Sequence, residues 1–255
     1  MANTLAARLR AGETLLTAWS AIPDALVAET CARAGFDAVT LDMQHGFHGV
    51  DSILRGIGAV RLGGAPAIVR IPVGDFAFAS RALDMGASAV IAPMINSLDD
   101  AHAFAEAMKF PPVGGRSWGP HRAVALDGAA SPQAYLESAN GDTLALAMVE
   151  TRQAVDILDR ILAVDGIDGV FVGPADFSIA WSGGRTIDPT LDDMMTAIAD
   201  IAAKTLEAGK IAATLAMDGV MAKRYAAMGF KLIALNSDSG YLTAGAKALL
   251  ASARP

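Results

Sequence analysis

The chain of 255 residues holds a single cysteine, Cys31, which excludes an intrachain disulfide and any cysteine-rich metal site. A reducing cytoplasm is the compartment this fits. Charged residues are scarce at 18%, and basic ones are outnumbered, 20 Lys and Arg against 27 Asp and Glu, for a formal net charge of −7. That balance speaks against general nucleic-acid binding and against docking on anionic membranes. Aromatic residues reach only 6%, so a core must be built from Ala, Val, Ile, Leu and Met. The mean hydropathy is high, +0.39, yet no apolar run approaches the ~18 residues of a spanning helix. Met1 to Gly12 has arginines but no apolar centre, so no secretory signal is expected.

What the chain does have is apolar material, 53% of its residues, in short runs bounded by Gly or polar groups. Eight β-prone runs recur: Leu15 to Ala21, Ala38 to Asp42, Pro66 to Ile71, Ala89 to Pro93, Leu144 to Val149, Gly169 to Val172, Ile211 to Leu215 and Leu232 to Leu235. Amphipathic stretches separate them, among them Pro23 to Ala34, Val50 to Leu62 and Leu191 to Ala208. Gly35, Gly63, Gly86, Gly209 and Gly229 close helices as left-handed caps prefer. Regular strand–helix alternation predicts a parallel sheet buried on both faces. Eight repeats in this length predict an α/β fold of the closed (β/α)8 TIM-barrel type, one domain over residues 1–255. An open doubly wound sheet would carry a Gly-rich fingerprint after its first strand, and Trp19-Ser20-Ala21-Ile22-Pro23 is not one.

One segment breaks the rhythm. Phe110 to Asn140, with Pro111, Pro112, Gly114, Gly115, Gly119, Pro120 and Pro132, is too long for an ordinary connection and reads as a functional or interface loop. Tyr241 to Arg254 reads as a closing helix that either completes this barrel or is exchanged with a neighbouring subunit.

A barrel of this kind does its chemistry at the C-terminal ends of the strands. Asp42 and His45 follow the second strand, Arg70 ends the third, Glu150 ends the fifth and Asp176 follows the sixth. Two carboxylates on adjacent strand ends, Glu150 and Asp176, are hard oxygen donors suited to Mg2+, Mn2+ or a related divalent cation; each could instead cap the helix that follows. Gly173-Pro174-Ala175 is either a backbone cradle for a carboxylate or an ordinary turn. Arg70 could grip a carboxylate, polarise a keto oxygen or sit in an internal salt bridge. His45 is a candidate general acid or base, with a structural histidine as the alternative; His48, His102 and His121 carry weaker signals. Asp84, an acid at a helix C-terminus, opposes the helix dipole, so it either has a partner such as an imidazole or is a solvated surface carboxylate. No lysine ends a barrel strand: Lys109 precedes the long segment, Lys204, Lys223 and Lys247 lie on helices, and Lys210 and Lys231 start strands. That argues against Schiff-base chemistry.

Together, Leu41-Asp42-Met43-Gln44-His45-Gly46, Val69-Arg70-Ile71-Pro72, Leu83-Asp84-Met85-Gly86-Ala87, Met148-Val149-Glu150-Thr151 and Phe171-Val172-Gly173-Pro174-Ala175-Asp176-Phe177-Ser178 resemble the HpcH/HpaI aldolase family, the metal-dependent class II pyruvate aldolases. The resemblance runs from about Leu15 to Leu235. It implies a divalent cation (Mg2+, Mn2+ or Co2+) held by Glu150 and Asp176. It further implies a pyruvate-type 2-oxo acid seated with its carboxylate on the amides near Gly173, Pro174 and Ala175, and Arg70 on its keto oxygen. His45, oriented by Asp42 or Asp84, would move the proton, with a water on the cation as the competing base. The family usually has Glu where this chain has Gln44, and often Gln where it has Met148. Arg116, His121 and Arg122, in Gly114 to Ala123, reach either a phosphate, a distal carboxylate or a subunit contact.

The function expected is therefore a carbon–carbon lyase that cleaves or forms 4-hydroxy-2-oxo acids, with a 2-oxo acid and an aldehyde as its small-molecule partners. A cytoplasmic homo-oligomer, trimer or hexamer, goes with the family. The rivals are an oxaloacetate decarboxylase or acyl-CoA lyase on the same scaffold, and a non-catalytic metabolite-binding barrel.

Overall fold

The computed structural model describes residues 4–254. Eight parallel strands close into a barrel in sequence order. They are β1 (Leu15–Ser20), β2 (Ala38–Asp42), β3 (Ala67–Arg70), β4 (Ala89–Ala92), β5 (Leu144–Met148), β6 (Gly169–Val172), β7 (Ile211–Ala216) and β8 (Leu232–Leu235). The helices are α1 (Leu5–Arg10), α2 (Ala25–Arg33), α3 (Val50–Leu62), α4 (Phe76–Asp84), α5 (Leu98–Met108), α6 (His121–Asp127), α7 (Pro132–Asp142), α8 (Arg152–Asp156), α9 (Leu158–Leu162), α10 (Pro174–Ser182), α11 (Asp192–Glu207), α12 (Gly219–Ala227) and α13 (Asp238–Ala253). The predicted (β/α)8 barrel is the observed fold, with each strand within about a residue of its expected place.

The period-two alternation of a strand sorts the side chains. Leu15, Trp19, Ala38, Ile68, Ala89, Ile91, Leu144, Leu146, Met148, Phe171, Ile211, Ala213, Leu232 and Ala234 fill the barrel interior. Alanine opposite Leu, Ile or Phe lets the layers mesh without strain. Helix α1 closes the bottom, adding Leu5, Ala6 and Leu9 to that cluster. The opposite strand faces, such as Val39, Leu41, Val69, Val90 and Val170, pack on the surrounding helices. Burying a side chain of this size contributes about 1.5–3 kcal/mol, so strands apolar on both faces hold the sheet inside the helical ring.

The same alternation continues past the apolar layers. Asp42 shares the inward parity of Ala38, and Arg70 that of Ile68; the two stand opposite each other in the β2–β3 register. Glu150, two residues after Met148, also faces the mouth.

Phe110 to Asn140, expected as a loop, instead contains α6 and most of α7. Proline misleads there: Ser131 caps α7 by accepting the Ala134 N–H, and Pro132 occupies the first turn, where its missing N–H costs nothing. The buried Lys109 ties the excursion down, donating to the carbonyls of Asn140 and Thr143 and to Asp168 Oδ2 at 2.6 Å. Of the expected glycine caps, Gly35, Gly86, Gly209 and Gly229 have positive φ, whereas Gly63 is right-handed and Gly64 takes the left-handed position.

Candidate active site

Arg70 donates from Nε to Asp42 Oδ1 at 2.7 Å and from Nη2 to Oδ2 at 2.6 Å. Both residues are buried. The guanidinium lies 4.7 Å from the centre of the Trp19 ring, whose Nε1 donates to Asp42 Oδ2 at 3.3 Å. Burial opposes the charge on Asp42, but the Arg70 hydrogen bonds and charge prevail, joined by the Gln44 and His45 backbone N–H groups. The carboxyl is held below the usual carboxylate range. Such a pair fixes the planar guanidinium at the mouth and leaves its remaining N–H groups to a ligand.

Glu150 is the counterpart across the mouth, only 1% exposed. Its Oε1 accepts the Met94 N–H at 2.9 Å; its Oε2 is buried without a hydrogen-bond partner. Met94 holds that N–H in place from a left-handed backbone position, φ 56°, which a non-glycine residue adopts only when its surroundings impose it. Burial pushes the Glu150 carboxyl up to about 7, the Met94 N–H opposes the rise, and the neighbouring charge of Asp176 adds to it. Gly173 permits this packing: a Cβ there would stand 2.5 Å from Glu150 Oε2 and 3.0 Å from the Met148 methyl. Met148 thus lays an apolar wall beside the carboxylate where an amide could have donated to it.

Asp176 lies in the first turn of α10, after Gly173 as N-cap and Pro174 at the first helical position. Its carboxylate makes no hydrogen bond among the described residues. The first intrahelical hydrogen bond is donated by the Phe177 N–H to the Gly173 carbonyl at 2.9 Å, so the N–H groups of Ala175 and Asp176 have no intrahelical acceptor and lie at the positive end of the helix dipole. Beside the site, Thr151 donates to Asn96 Oδ1 at 2.5 Å, and Arg152 stacks 4.0 Å from the Trp181 ring centre on α10.

The remaining candidates divide. His45 is exposed, and its backbone N–H donates to Asp42 Oδ1 at 3.4 Å. The expected orientation of its imidazole by Asp42 or Asp84 is not the arrangement within this chain. Asp42 is saturated by Arg70, Trp19 and backbone N–H groups. Asp84 ends α4, which runs antiparallel to the strands, so it lies at the barrel end away from the mouth. There it accepts from the buried Arg116 at 2.6 Å. Arg122 donates to the carbonyls of Leu54 and Met85, tying α6 to α3 and to the end of α4. His121 is exposed at the start of α6.

Sequence reading missed Trp19 and Met94. An inward-facing tryptophan at the end of the first strand, in a chain with three, is a usable signal for the former. Nothing in the sequence marks a backbone N–H, so Met94 was not legible.

The family model described as HpcH/HpaI aldolase/citrate lyase matches residues 16–244. A hydroxypyruvate/pyruvate aldolase of Rhizorhabdus wittichii is 36% identical over 243 residues, 95% of each chain. A 4-hydroxy-2-oxo-heptane-1,7-dioate aldolase of Shigella sonnei is 33% identical over 251 residues, 98% of this chain and 95% of that one. Among solved structures, an HpcH/HpaI aldolase/citrate lyase family protein from Burkholderia cenocepacia superposes with a TM-score of 0.88 at 30% identity, covering 98% of this chain and 99% of that one. The chain therefore belongs to the HpcH/HpaI aldolase/citrate lyase family.

Proposed function

We propose that the chain is a divalent-metal-dependent aldolase that cleaves 4-hydroxy-2-oxo acids to pyruvate, or a close 2-oxo acid, and an aldehyde, and runs the reverse addition. The observation that carries this reading is the buried, unpartnered Oε2 of Glu150 beside Asp176, facing an arginine already fixed in place.

The residues present fit a cation. Glu150 and Asp176 are hard oxygen donors, and the cost of holding the Glu150 charge in a buried site is what an adjacent cation removes. No group of three or more His, Cys, Asp or Glu gathers among the described residues, so protein oxygens would fill few positions and leave room for substrate oxygens. Bound there, the ion would supply positive charge to an oxyanion developing on the oxo acid.

The chain's own groups do the rest. The N–H groups near Gly173 and Ala175 receive the carboxylate of the oxo acid, and Pro174 sets the turn. Arg70, aimed by Asp42, donates to the keto oxygen as charge gathers on it, an interaction strengthened in a site that excludes water. His45 takes the proton of the C4 hydroxyl as the C3–C4 bond breaks and its electron pair passes to C3. Proton return to C3 then yields the product acid.

Pyruvate release from a 4-hydroxy-2-oxo acid, with and without EDTA, tests this. Full loss with the chelator and recovery with Mn2+ is the expected result. Turnover indifferent to EDTA refutes it, and no turnover of any oxo acid favours a binding protein.

The proposal extends to one domain over residues 1–255, in the cytoplasm, assembled as a trimer or hexamer. Among the described residues no helix is long and apolar enough to cross a membrane. Exchange of α13 between subunits draws support from its surface: Leu242, Leu249 and Leu250 are exposed, and a cavity of about 370 Å3 opens between its root and α2.

A further inference from the structure

Of the four histidines, His48 alone is buried, at 6% exposure. Its Nε2 lies 3.1 Å from Ser20 Oγ at the end of β1, and its Nδ1 lies 3.1 Å from Ser52 Oγ in the first turn of α3. Ser52 Oγ also accepts the Gly49 N–H at 2.9 Å and donates to the Gly49 carbonyl at 3.0 Å. A neutral imidazole satisfies this chain of bonds. Burial holds its pKa down, against the opposing charges of Asp238 and Asp42 that face it. An apolar side chain would fill the same volume without desolvating a ring, so the two bonds have to offset that cost.

What they hold is the loop between β2 and α3. Its front half is fixed by Asp42, which accepts the Gln44 and His45 N–H groups. Gly46 packs so tightly that a Cβ would overlap the Asp42 carbonyl oxygen. Its rear half is fixed by the Phe47 N–H on the Ala21 carbonyl, at 2.9 Å, and by His48. The His45 imidazole between these anchors has no side-chain hydrogen bond among the described residues. Its aim is therefore set by the backbone.

We infer that His48 is a positioning residue, which pins the His45 loop to β1 and α3 so that the His45 imidazole is presented to the mouth. This rests on the proton-transfer role proposed for His45. Nothing links His48 to the cation or to the carboxylate cradle, so its loss should lower kcat and spare both Mn2+ affinity and KM for the oxo acid.

The test is a double-mutant cycle in the metal-loaded enzyme. His48→Leu keeps the bulk and removes both bonds; kcat for aldol cleavage should fall roughly 10- to 100-fold, the scale of a small misplacement. His48→Asn, which retains a polar atom near the Nδ1 position, should recover part of it. In a His45→Ala background, His48→Leu should cost nothing more. A slow His45→Ala enzyme that slows again by the same factor overturns the inference alone. A His45→Ala enzyme as fast as wild type overturns the reading of His45 and the inference with it. Where His48→Leu does not fold, Ser20→Ala breaks the chain from outside the loop and must show the same split between kcat and KM; an unchanged kcat there also overturns the inference.

Discussion

Two buried acids face each other across the barrel mouth, and they live in opposite electrostatic worlds. Asp42 on β2 has every oxygen occupied, by a bidentate arginine, an indole N–H and backbone N–H groups. Glu150 after β5 has one oxygen on a backbone N–H and the other on nothing, with a second carboxylate beside it. The first is a finished structural unit whose charges cancel. The second is a buried carboxyl with an unpartnered oxygen and a like charge beside it, which is why the proposed cation is placed there. On the proposed reading, the first side keeps its geometry through the reaction and the second side receives the ion.

The largest break in this comparison comes from Arg70→Ala. It removes the donor proposed for the keto oxygen and strands Asp42 as a buried, unpaired charge. Aldol cleavage and C3 proton exchange should both fall by at least ~10³-fold, read as pyruvate release and as deuterium uptake by NMR. The stability loss should be about 3–5 kcal/mol. Exchange at the wild-type rate would exclude Arg70 from the enolate step.

Neutralising each acid in turn should move metal-free stability in opposite directions. Asp42→Asn should destabilise, because it leaves Arg70 without its partner. Glu150→Gln should stabilise, by up to about 3 kcal/mol, the equivalent of a rise from 4.5 to about 7. The same substitution should weaken Mn2+ binding by about 100-fold, measured by calorimetry. Unchanged affinity would place the ion elsewhere.

The pH dependences should also oppose. With its folded pKa raised, Glu150 binds more protons folded than unfolded between pH 4.5 and about 7. Its contribution to metal-free stability therefore declines as pH rises through that window and levels off above it. Asp42, held down, contributes stability that is present above its unfolded value and lost as pH falls through its folded one. Cation uptake at pH 6 should release a proton from Glu150 and at pH 8 should not. Calorimetry in buffers of different ionisation enthalpy reads the difference, and equal proton release at both values would break the contrast.

The finished side was the less legible one in the sequence. Asp42 and Arg70 stand out as charges after apolar runs, but their pairing follows from register between β2 and β3, which no local pattern states. Glu150 and Asp176 were legible as a pair because both close strands that are themselves adjacent. The barrel was legible for a related reason: strands buried on both faces repeat as short apolar runs. Long-range geometry was not. Asp84 reads as a partner for His45, whereas within one chain it accepts from Arg116 at the end of α4, and α7 is hidden because Pro132 reads as a loop residue before its place at a helix start is seen. Met94 acts through its main chain, which leaves no mark in residue type.

The smallest effect should come from the brace between the two acids on the open side. Glu150 sits on the segment leading into α8, and Asp176 rides on α10. Arg152 joins these elements: its guanidinium stacks 4.0 Å from the Trp181 ring centre, and its Nη2 donates to the Trp181 carbonyl at 2.7 Å. Trp181 is held in turn by Asp193 through a 2.8 Å bond from its Nε1. An exposed cation–π contact contributes about 0.5–1 kcal/mol, so Arg152→Ala should loosen the spacing of the carboxylates and weaken Mn2+ binding by only about 3-fold. Arg152→Lys, which keeps the charge but loses the planar stack, should fall between the two. If Arg152→Ala binds Mn2+ like the wild type while Glu150→Gln does not, the open side is rigid without its brace. Its incompleteness then lies in charge alone, not in geometry.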